Sequence, residues 1–187
     1  MSRNSCPLLK MNKLEIIFDF GGVICDNANL PGVMGIEIPE LPGAFDAIRM
    51  AVSKVGHHHV HILSKCSIDA ETFIRHWLID KRIARTGFFN PRDNVHFCRN
   101  RKDKAYFANG INESFEFIMI DNRWDVLQHF INPRAIPFLI NPSQDENLEW
   151  EKAKAENNEI ALRTHYASSW EDGNPLLEMI INNRLEQ

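Results

Sequence analysis

The amino-acid sequence predicts an α/β protein with a doubly wound, mainly parallel sheet between two layers of helices, a three-layer αβα arrangement. Short apolar runs alternate along the chain with segments whose apolar residues recur at helical spacing. The apolar runs are typical of strands covered on both faces. Strands that alternate with helices pair in parallel through right-handed crossovers, so we expect helices on both faces of the sheet.

Five strands and four helices are predicted before Asn141. The strands are residues 14–18, 60–63, 95–97, 117–120 and 137–140. The helices between them have apolar faces formed by Ala44, Ile48, Ala51, Val52 and Val55, by Phe73, Ile74, Trp77 and Leu78, by Ala105, Phe107, Ala108 and Ile111, and by Val126, Leu127 and Phe130. Gly56 closes the first helix, and Ser67 or Asp69 is available to cap the second.

The remainder of the chain adds a helix around 148–156, a sixth strand near 160–163 and a last helix from about 171 to 183. Because there is no internal repeat, low-complexity tract or linker, we expect residues 1–187 to form one domain. Residues 27–41 combine prolines, glycines and isolated apolar residues, and we interpret them as a flap or a long loop.

The composition is that of a globular protein. With 187 residues, of which 44% are apolar and 25% charged, the chain is long enough to bury a substantial core. No apolar run approaches the roughly 20 residues of a membrane span, and the apolar stretch near the N-terminus is too short for a secretory signal. The four cysteines form no CxxC pair. We therefore expect a cytoplasmic protein with reduced thiols.

Charge is unevenly distributed along the chain. The net charge of −4 argues against a general nucleic-acid coat protein. Nine Lys or Arg residues nevertheless oppose three Asp between Arg75 and Lys104, whereas six acids oppose two lysines between Ser143 and Ile160. Two solvated faces of opposite charge explain this pattern, and so does a basic stretch that attracts an anionic substrate.

Two aspartates, Asp19 and Asp121, follow predicted strands directly. The carboxyl ends of parallel strands meet at one edge of an open sheet, where such proteins bind their ligands. Two neighbouring carboxylates repel each other, which raises one pKa unless a cation lies between them. Mg²⁺ is held by one or two carboxylates together with other oxygens and water. Asp125, one helical turn beyond Asp121, offers a third oxygen directly or through water.

Two further polar residues are expected near Asp19 and Asp121, because Ser64 ends the second strand and Lys104 begins the third helix. An acidic nucleophile, a divalent cation, a hydroxyl and a lysine in one pocket meet the requirements of phosphoryl transfer. In such a reaction the carboxylate attacks phosphorus, and the cations neutralise the phosphoryl oxygens.

The ordered set of motifs resembles that of the haloacid dehalogenase superfamily of hydrolases. The motifs are Asp-x-Gly-Gly-Val from Asp19, a strand ending in Ser64, Lys104 at a helix start and Asp-x-x-x-Asp from Asp121 to Asp125. The resemblance covers residues 14 to about 140. It implies the HAD-like Rossmannoid fold, a Mg²⁺ cofactor and phosphatase activity through an aspartyl-phosphate intermediate.

By position, the resemblance also implies roles for individual residues. Asp19 is the implied nucleophile and a metal ligand, Gly21 lends a backbone carbonyl to the metal, and Asp121 ligates it with the assistance of Asp125. The residues implied to hold the phosphoryl oxygens are Gly22, Ser64, Lys65 and Lys104.

The sequence departs from the family pattern at two positions. Phosphatases of the superfamily usually carry a second Asp two residues after the nucleophile, where it protonates the leaving group and then activates water. This chain has Gly21 there, and the loss of a general acid/base typically costs roughly 10²–10⁴ in rate. Asn122 stands where many relatives have another Asp, which keeps an oxygen but removes a charge.

These departures leave three outcomes open. The protein is a phosphatase that takes its acid/base from elsewhere, such as His57, Asp26 or the substrate; or a slow phosphatase; or a catalytically silent relative that binds a phosphorylated ligand or a protein partner. Dehalogenation through the same nucleophile needs no metal, and the retained Asp121 and Asp125 disfavour it.

A cap domain is not expected. The intervals from Asp19 to Ser64 and from Ser64 to Lys104 are filled by the predicted elements. An uncovered site suits a large substrate, or a small one enclosed by a neighbouring subunit of a homo-oligomer. With the basic stretch beside the pocket, we expect a nucleotide, a nucleic-acid end or a phosphoprotein rather than a free sugar phosphate.

The remaining conspicuous side chains receive structural interpretations. The histidines His57–His59 fall in the turn before the second strand, and His61 falls on that strand. The turn lies at the opposite edge of the sheet from the carboxylates, and we expect these histidines to be exposed and not to hold a metal. Trp77 and Phe107 fall at helical spacing and are expected in the core. The Phe pair at 88–89 is expected to be an exposed contact.

Overall fold

The computed structural model describes residues 14–26, 38–81, 92–111 and 113–187 of the chain. Six strands form one sheet in the order β3-β2-β1-β4-β5-β6, and every neighbouring pair is parallel. The predicted doubly wound α/β architecture is therefore confirmed. The strands are Leu14–Phe18, Val60–Lys65, Val95–Cys98, Glu116–Asp121, Ala135–Ile140 and His165–Ala167, numbered β1 to β6.

Seven α-helices connect and cover the strands in the described part of the chain. In chain order, α1 to α7 are Ala44–Val55, Ile68–Asp80, Asp103–Ile111, Trp124–Leu127, Gln144–Ala155, Glu159–Arg163 and Trp170–Leu185. Gly56 ends α1 with a φ of 89°, a conformation that favours glycine. The Ser67 hydroxyl accepts a hydrogen bond from the Ala70 amide and so caps α2 as predicted.

The sheet is covered on both faces because its strand residues alternate between two apolar cores. One core packs Ile16, Phe18 and their neighbours against α1, α2 and α7. The other packs Ile17 and Leu63 against α3, α4, α5 and α6. The two cores give the protein three layers, helices on each side of one sheet. Polar side chains are then accommodated at the ends of the strands.

The strand order reverses direction between β1 and β4, which lie side by side. Phe18 is aligned with Ile120, and the amide of Asp19 donates to the Ile120 carbonyl at 2.8 Å. The next residues along the two strands are therefore Asp19 and Asp121, at corresponding positions. In open α/β sheets this reversal point, outside the carboxyl ends of the strands, is where ligands bind.

The chain after β1 turns sharply and then leads into the segment that we interpreted as a flap. Within the turn, the Gly22 amide donates to the Cys25 carbonyl at 2.7 Å. An antiparallel bridge joins Cys25 to Glu40, and the Asp26 amide donates to the carbonyl of Pro39. This bridge closes the base of the segment, whose residues 27–37 lie outside the described part of the chain.

The predicted sixth strand was wrong in position. Residues 160–163 belong to helix α6, and the strand follows at His165–Ala167. The Asn158 side-chain oxygen accepts hydrogen bonds from the amides of Ile160 and Ala161, and such a cap favours a helical first turn. A short apolar run alone does not distinguish a strand from a buried helix.

The expectations for the aromatic residues were half correct. Trp77 is buried and donates from Nε1 to the Ile38 carbonyl at 3.1 Å. Phe107, expected in the core, is 41% exposed because α3 turns Lys104 and Ala108 inward instead. The Phe pair at 88–89 lies outside the described residues.

The histidine interpretation needs a similar correction. His57 and His58 are exposed in a short turn before β2, as expected, but His61 is only 7% exposed. The buried Glu15 carboxylate contacts His61 at 3.0 Å and His59 at 3.2 Å. The other ring nitrogen of His61 contacts His96 at 3.2 Å, so a long-range polar cluster holds β1, β2 and β3 together.

Acid should destabilise the fold through His96. Burial, together with neighbouring His61, lowers the pKa of His96 from 6.5 to about 4. Between these values the unfolded chain binds more protons than the folded one, so stability falls as the pH drops from 6.5 toward 4. Allowing for partial exposure, we expect His96→Gln to reduce the stability lost between pH 7 and pH 5 by about 1 kcal/mol. Urea unfolding at both pH values measures this.

The control is His58→Gln, which changes an exposed histidine of the neighbouring turn. It should show the same loss as the original protein. An unchanged pH dependence in His96→Gln would contradict the assignment.

Candidate active site

Three charged side chains meet at the reversal point of the sheet. The Lys104 ammonium lies 2.9 Å from Oδ1 of Asp19 and 2.7 Å from Oδ2 of Asp121. All three residues are buried, with exposed fractions of 6% for Asp19, 2% for Lys104 and 0% for Asp121. The two carboxylates predicted to be neighbours are therefore bridged by the lysine that was predicted to join them.

The ends of two strands and the first turn of one helix position these three side chains. Asp19 follows the last residue of β1, and Asp121 is the last residue of β4. Lys104 is the second residue of α3, which runs back from the edge of the sheet. Because α3 covers the β2 and β3 side of the sheet, its first turn reaches the Asp19–Asp121 pair.

Asp19, Lys104 and Asp121, which we call the triad, carry more negative than positive charge when both carboxylates are ionised. Burial raises the pKa of the Asp121 carboxyl to about 7, with a further contribution from Asp19, against the lowering effect of Lys104. Burial disfavours the charged form of Lys104, but Asp121 and Asp19 outweigh it and raise the pKa of the lysine above its usual range. With both aspartates ionised, two negative charges face one positive charge, so a further cation would stabilise the site.

The residues present fit a hard, oxygen-liganded cation. Among the described residues, no group of three or more His, Cys, Asp or Glu side chains is arranged as a metal site. Mg²⁺ does not require one, because it usually takes one or two carboxylates and keeps several waters. The buried Oδ1 of Asn122 has no hydrogen-bond partner in the described structure, and its side chain lies against Gly22. An ion or its water would satisfy this oxygen.

The structure places the other predicted phosphate-binding residues at the same edge of the sheet. Ser64 is buried near the end of β2, and Lys65, which follows it, is exposed. Gly22 adopts a φ of 81°, and a side chain there would collide with Asn122. Among the described residues, no hydrogen bond or ion pair joins these three to Asp19, Lys104 or Asp121, so their roles remain predictions.

Asp125 occupies a different environment from Asp121. Its carboxylate accepts hydrogen bonds from Nε and Nη2 of Arg123, both at 2.8 Å, and lies 3.6 Å from Arg101. Burial opposes ionisation, but these hydrogen bonds keep the pKa of Asp125 below its usual range. The structure does not bring Asp125 into contact with the triad, and its role as an assisting metal ligand remains a prediction.

Two residues that support this edge were not identified from the sequence. The Arg123 amide donates to Oδ1 of Asp121 at 3.0 Å, and its guanidinium pairs with Glu146 at 2.8 Å. Glu146 in turn accepts from the Asp125 amide at 3.1 Å. Arg123 lies within the motif from Asp121 to Asp125, so the sequence offered a signal for it. Glu146 belongs to α5, and no sequence signal connected it to the site.

The two candidate replacements for the missing acid/base differ in position. His57 lies in the turn before β2, at the opposite edge of the sheet from Asp19. Asp26 belongs to the loop that follows β1, and this loop leaves the same edge of the sheet at which Asp19 lies. The position of Asp26 therefore favours it over His57.

No protein-family model and no curated protein matches the sequence. Solved structures do match. A protein from Bacteroides vulgatus assigned as a β-phosphoglucomutase aligns with a TM-score of 0.58 and 12% identity, covering 95% of this chain and 93% of that one. The cobalt-bound deoxy-D-mannose-octulosonate 8-phosphate phosphatase from Haemophilus influenzae aligns with a TM-score of 0.55 and 14% identity, covering 95% and 91%.

A third structure is D,D-heptose 1,7-bisphosphate phosphatase from B. bronchiseptica, complexed with magnesium and phosphate. It aligns with a TM-score of 0.57 and 14% identity, covering 91% of this chain and 99% of that one. These proteins are haloacid dehalogenase-like, and the likeness extends over nearly the whole of each chain. The chain therefore has the haloacid dehalogenase-like fold that its ordered motifs indicate.

The triad should also stabilise the fold, which the variant Lys104→Met tests. Methionine keeps the length of the side chain but leaves two buried carboxylates without their partner. Removing one member of a buried ion pair costs about 3–5 kcal/mol of unfolding free energy. Urea unfolding in the presence of EDTA measures the loss.

The matched control is Lys54→Met, which breaks a half-exposed pair with Glu178 and should cost less than about 1 kcal/mol. Adding Asp121→Asn to Lys104→Met should recover part of the loss, because it removes one unpaired charge. Equal stabilities for the two single variants would show that the triad does not hold the fold together.

Proposed function

We propose that the protein is a Mg²⁺-dependent phosphomonoesterase that acts through an aspartyl phosphate on Asp19. The observation that carries this proposal is the buried contact of Lys104 with both Asp19 and Asp121 at the reversal point of the sheet. The solved phosphatases with the same fold support it. The reaction class is the transfer of a phosphoryl group from an ester first to a carboxylate and then to water.

In the first step, an oxygen of Asp19 attacks phosphorus, and the bond from phosphorus to the ester oxygen breaks. Lys104 orients the Asp19 carboxylate and neutralises charge on the phosphoryl oxygens. Ser64, at the end of β2, donates a hydrogen bond to one of these oxygens. In the second step, water attacks the same phosphorus and loses a proton to solvent or to Asp26. The bond between phosphorus and Asp19 breaks, which releases inorganic phosphate and restores the carboxylate.

Asp19, Asp121 and the Gly21 carbonyl would hold the Mg²⁺, with Asn122 bound directly or through water. The ion supplies positive charge that screens the nucleophile from the anionic ester. Arg123 and Lys104 fix the orientation of Asp121 from both of its oxygens. Asp125 would assist only through water or after releasing Arg123.

The absence of a carboxylate at Gly21 limits the range of substrates. The departing oxygen receives no proton from this position, so leaving groups that are stable as anions should react best. Asp26, or an acidic group of the substrate, is the proposed proton source for less stable leaving groups.

A catalytically silent protein that binds a phosphorylated ligand or a protein partner is the second candidate function. Gly21 is the observation that favours it. Both candidates share the triad and the metal site, so they differ only in turnover. A site without a cap domain, as the sequence predicts, would suit a nucleotide, a nucleic-acid end or a phosphoprotein, or a small substrate enclosed by a second subunit.

The test uses p-nitrophenyl phosphate with Mg²⁺, because p-nitrophenolate needs almost no protonation. We expect turnover that Asp19→Asn abolishes, since an amide is a poor nucleophile, and that EDTA suppresses. The control is Asp46→Asn, which changes an exposed residue of α1 and should leave the rate unaltered. Phosphate release and p-nitrophenolate absorbance give two readouts.

Absence of turnover with Mg²⁺ binding intact would favour the silent protein. Activity that persists in EDTA would exclude the metal-dependent route.

Restoring the missing carboxylate should broaden the substrate range. Gly21 is not among the residues with positive φ, so its backbone conformation accommodates a side chain. We expect Gly21→Asp to raise the rate for an alkyl phosphate by about 10²-fold. The gain for p-nitrophenyl phosphate should be smaller, because for that substrate only the activation of water is restored. Gly21→Asn, which adds similar bulk without an acid, is the control. No gain for the alkyl phosphate, or an equal gain from Gly21→Asn, would contradict the proposed defect.

A further inference from the structure

A positively charged cleft of about 720 Å³ lies beside the proposed active site. Its charged walls are formed by Lys65, Arg99, Arg101 and Lys102, opposed by Asp103 and Asp125. Four cations therefore face two acids in a protein whose net charge is −4. A local charge opposite to that of the whole chain attracts anions to this part of the surface. We call it the basic cleft.

The basic cleft adjoins the site through the chain itself. Lys65 follows Ser64 directly, and Asp103 directly precedes Lys104. Consecutive Cα atoms lie about 3.8 Å apart. The wall residues Lys65 and Asp103 therefore begin one residue away from Ser64 and Lys104, which are proposed to hold the reacting phosphate. The part of a substrate next to that phosphate is therefore within reach of the cleft.

The cations of the basic cleft differ in how they are held. Arg99 is fixed by Glu71 and by a 2.9 Å hydrogen bond from Nη1 to the Cys66 carbonyl. Arg101 approaches Asp125 at 3.6 Å. In contrast, neither Lys65 nor Lys102 forms an ion pair with any described residue, and both are exposed. The cleft thus combines fixed guanidinium groups with Lys102, which is available to a second phosphate, whereas Lys65 is the lysine that the resemblance assigns to the reacting phosphate.

We propose that the basic cleft binds a second phosphate group of the substrate, separate from the one that reacts at Asp19. Guanidinium and ammonium groups together are the usual partners of phosphate. This inference rests on the proposed function and narrows its substrate class to esters with an additional phosphate or phosphodiester. Such a group comes either from a small nucleoside bisphosphate or from the backbone of a nucleic-acid strand.

The experiment compares kcat/KM for adenosine 5′-monophosphate, adenosine 3′,5′-bisphosphate and a short 5′-phosphorylated oligodeoxyadenylate. A charged hydrogen bond to the second phosphate predicts a preference of about tenfold for the bisphosphate and the oligonucleotide over the monophosphate. The preference should decline with added salt, because the cleft is open to screening. A further gain for the oligonucleotide over the bisphosphate identifies the nucleic-acid strand as the source.

Lys102→Glu should reduce this preference by about fivefold or more, and Lys102→Arg should retain it. The matched control is Lys152→Glu on the exposed side of α5, which should not alter the ratio. Equal kcat/KM for all three substrates, or a ratio insensitive to Lys102→Glu, would overturn the inference.

Hydrolysis of p-nitrophenyl phosphate separates this outcome from failure of the proposed function, because that substrate has no second phosphate. If none of the substrates reacts, calorimetric binding of the bisphosphate and the monophosphate decides the question. Tighter binding of the bisphosphate that Lys102→Glu removes would support the cleft. Equal binding would overturn it.

Discussion

The contact of one buried ammonium with two buried carboxylates is the interaction on which both the fold and the site depend. Lys104 bridges Asp19 and Asp121 at 2.9 and 2.7 Å, and these carboxylates end neighbouring strands. Burying the lysine is costly, and only the two carboxylates offset that cost. When both carboxylates are ionised, two negative charges face one positive charge, and a bound cation would stabilise the arrangement. In the proposed function, stability and chemistry share the same three side chains.

Gly21 bears on the two parts of the proposed function differently. A backbone carbonyl at Gly21 would suffice for metal binding, whereas proton transfer requires a side chain. In the proposed reaction, a glycine at this position would therefore weaken proton transfer and spare the ion, and the leaving group would decide how severe the defect is.

Sequence periodicity predicted the first five strands and the juxtaposition of Asp19 with Asp121, since the carboxyl ends of parallel strands meet at one edge. It failed where a helix cap or a distant partner decided the outcome. The run at 160–163 became helical because Asn158 caps it, and His61 is buried because Glu15 and His96 come from other strands. The pairing of Asp125 with Arg123 beside Glu146 depends on α5, which no local pattern connects to β4.

A crystal structure of the protein with Mg²⁺ and orthovanadate tests the central claim most directly. The account predicts one ion about 2.1 Å from an oxygen of Asp19, an oxygen of Asp121 and the Gly21 carbonyl. It also predicts vanadium opposite the Asp19 carboxylate and within reach of Lys104. An ion bound away from these two carboxylates, or vanadate that leaves the Lys104 bridge untouched and binds elsewhere, would contradict it.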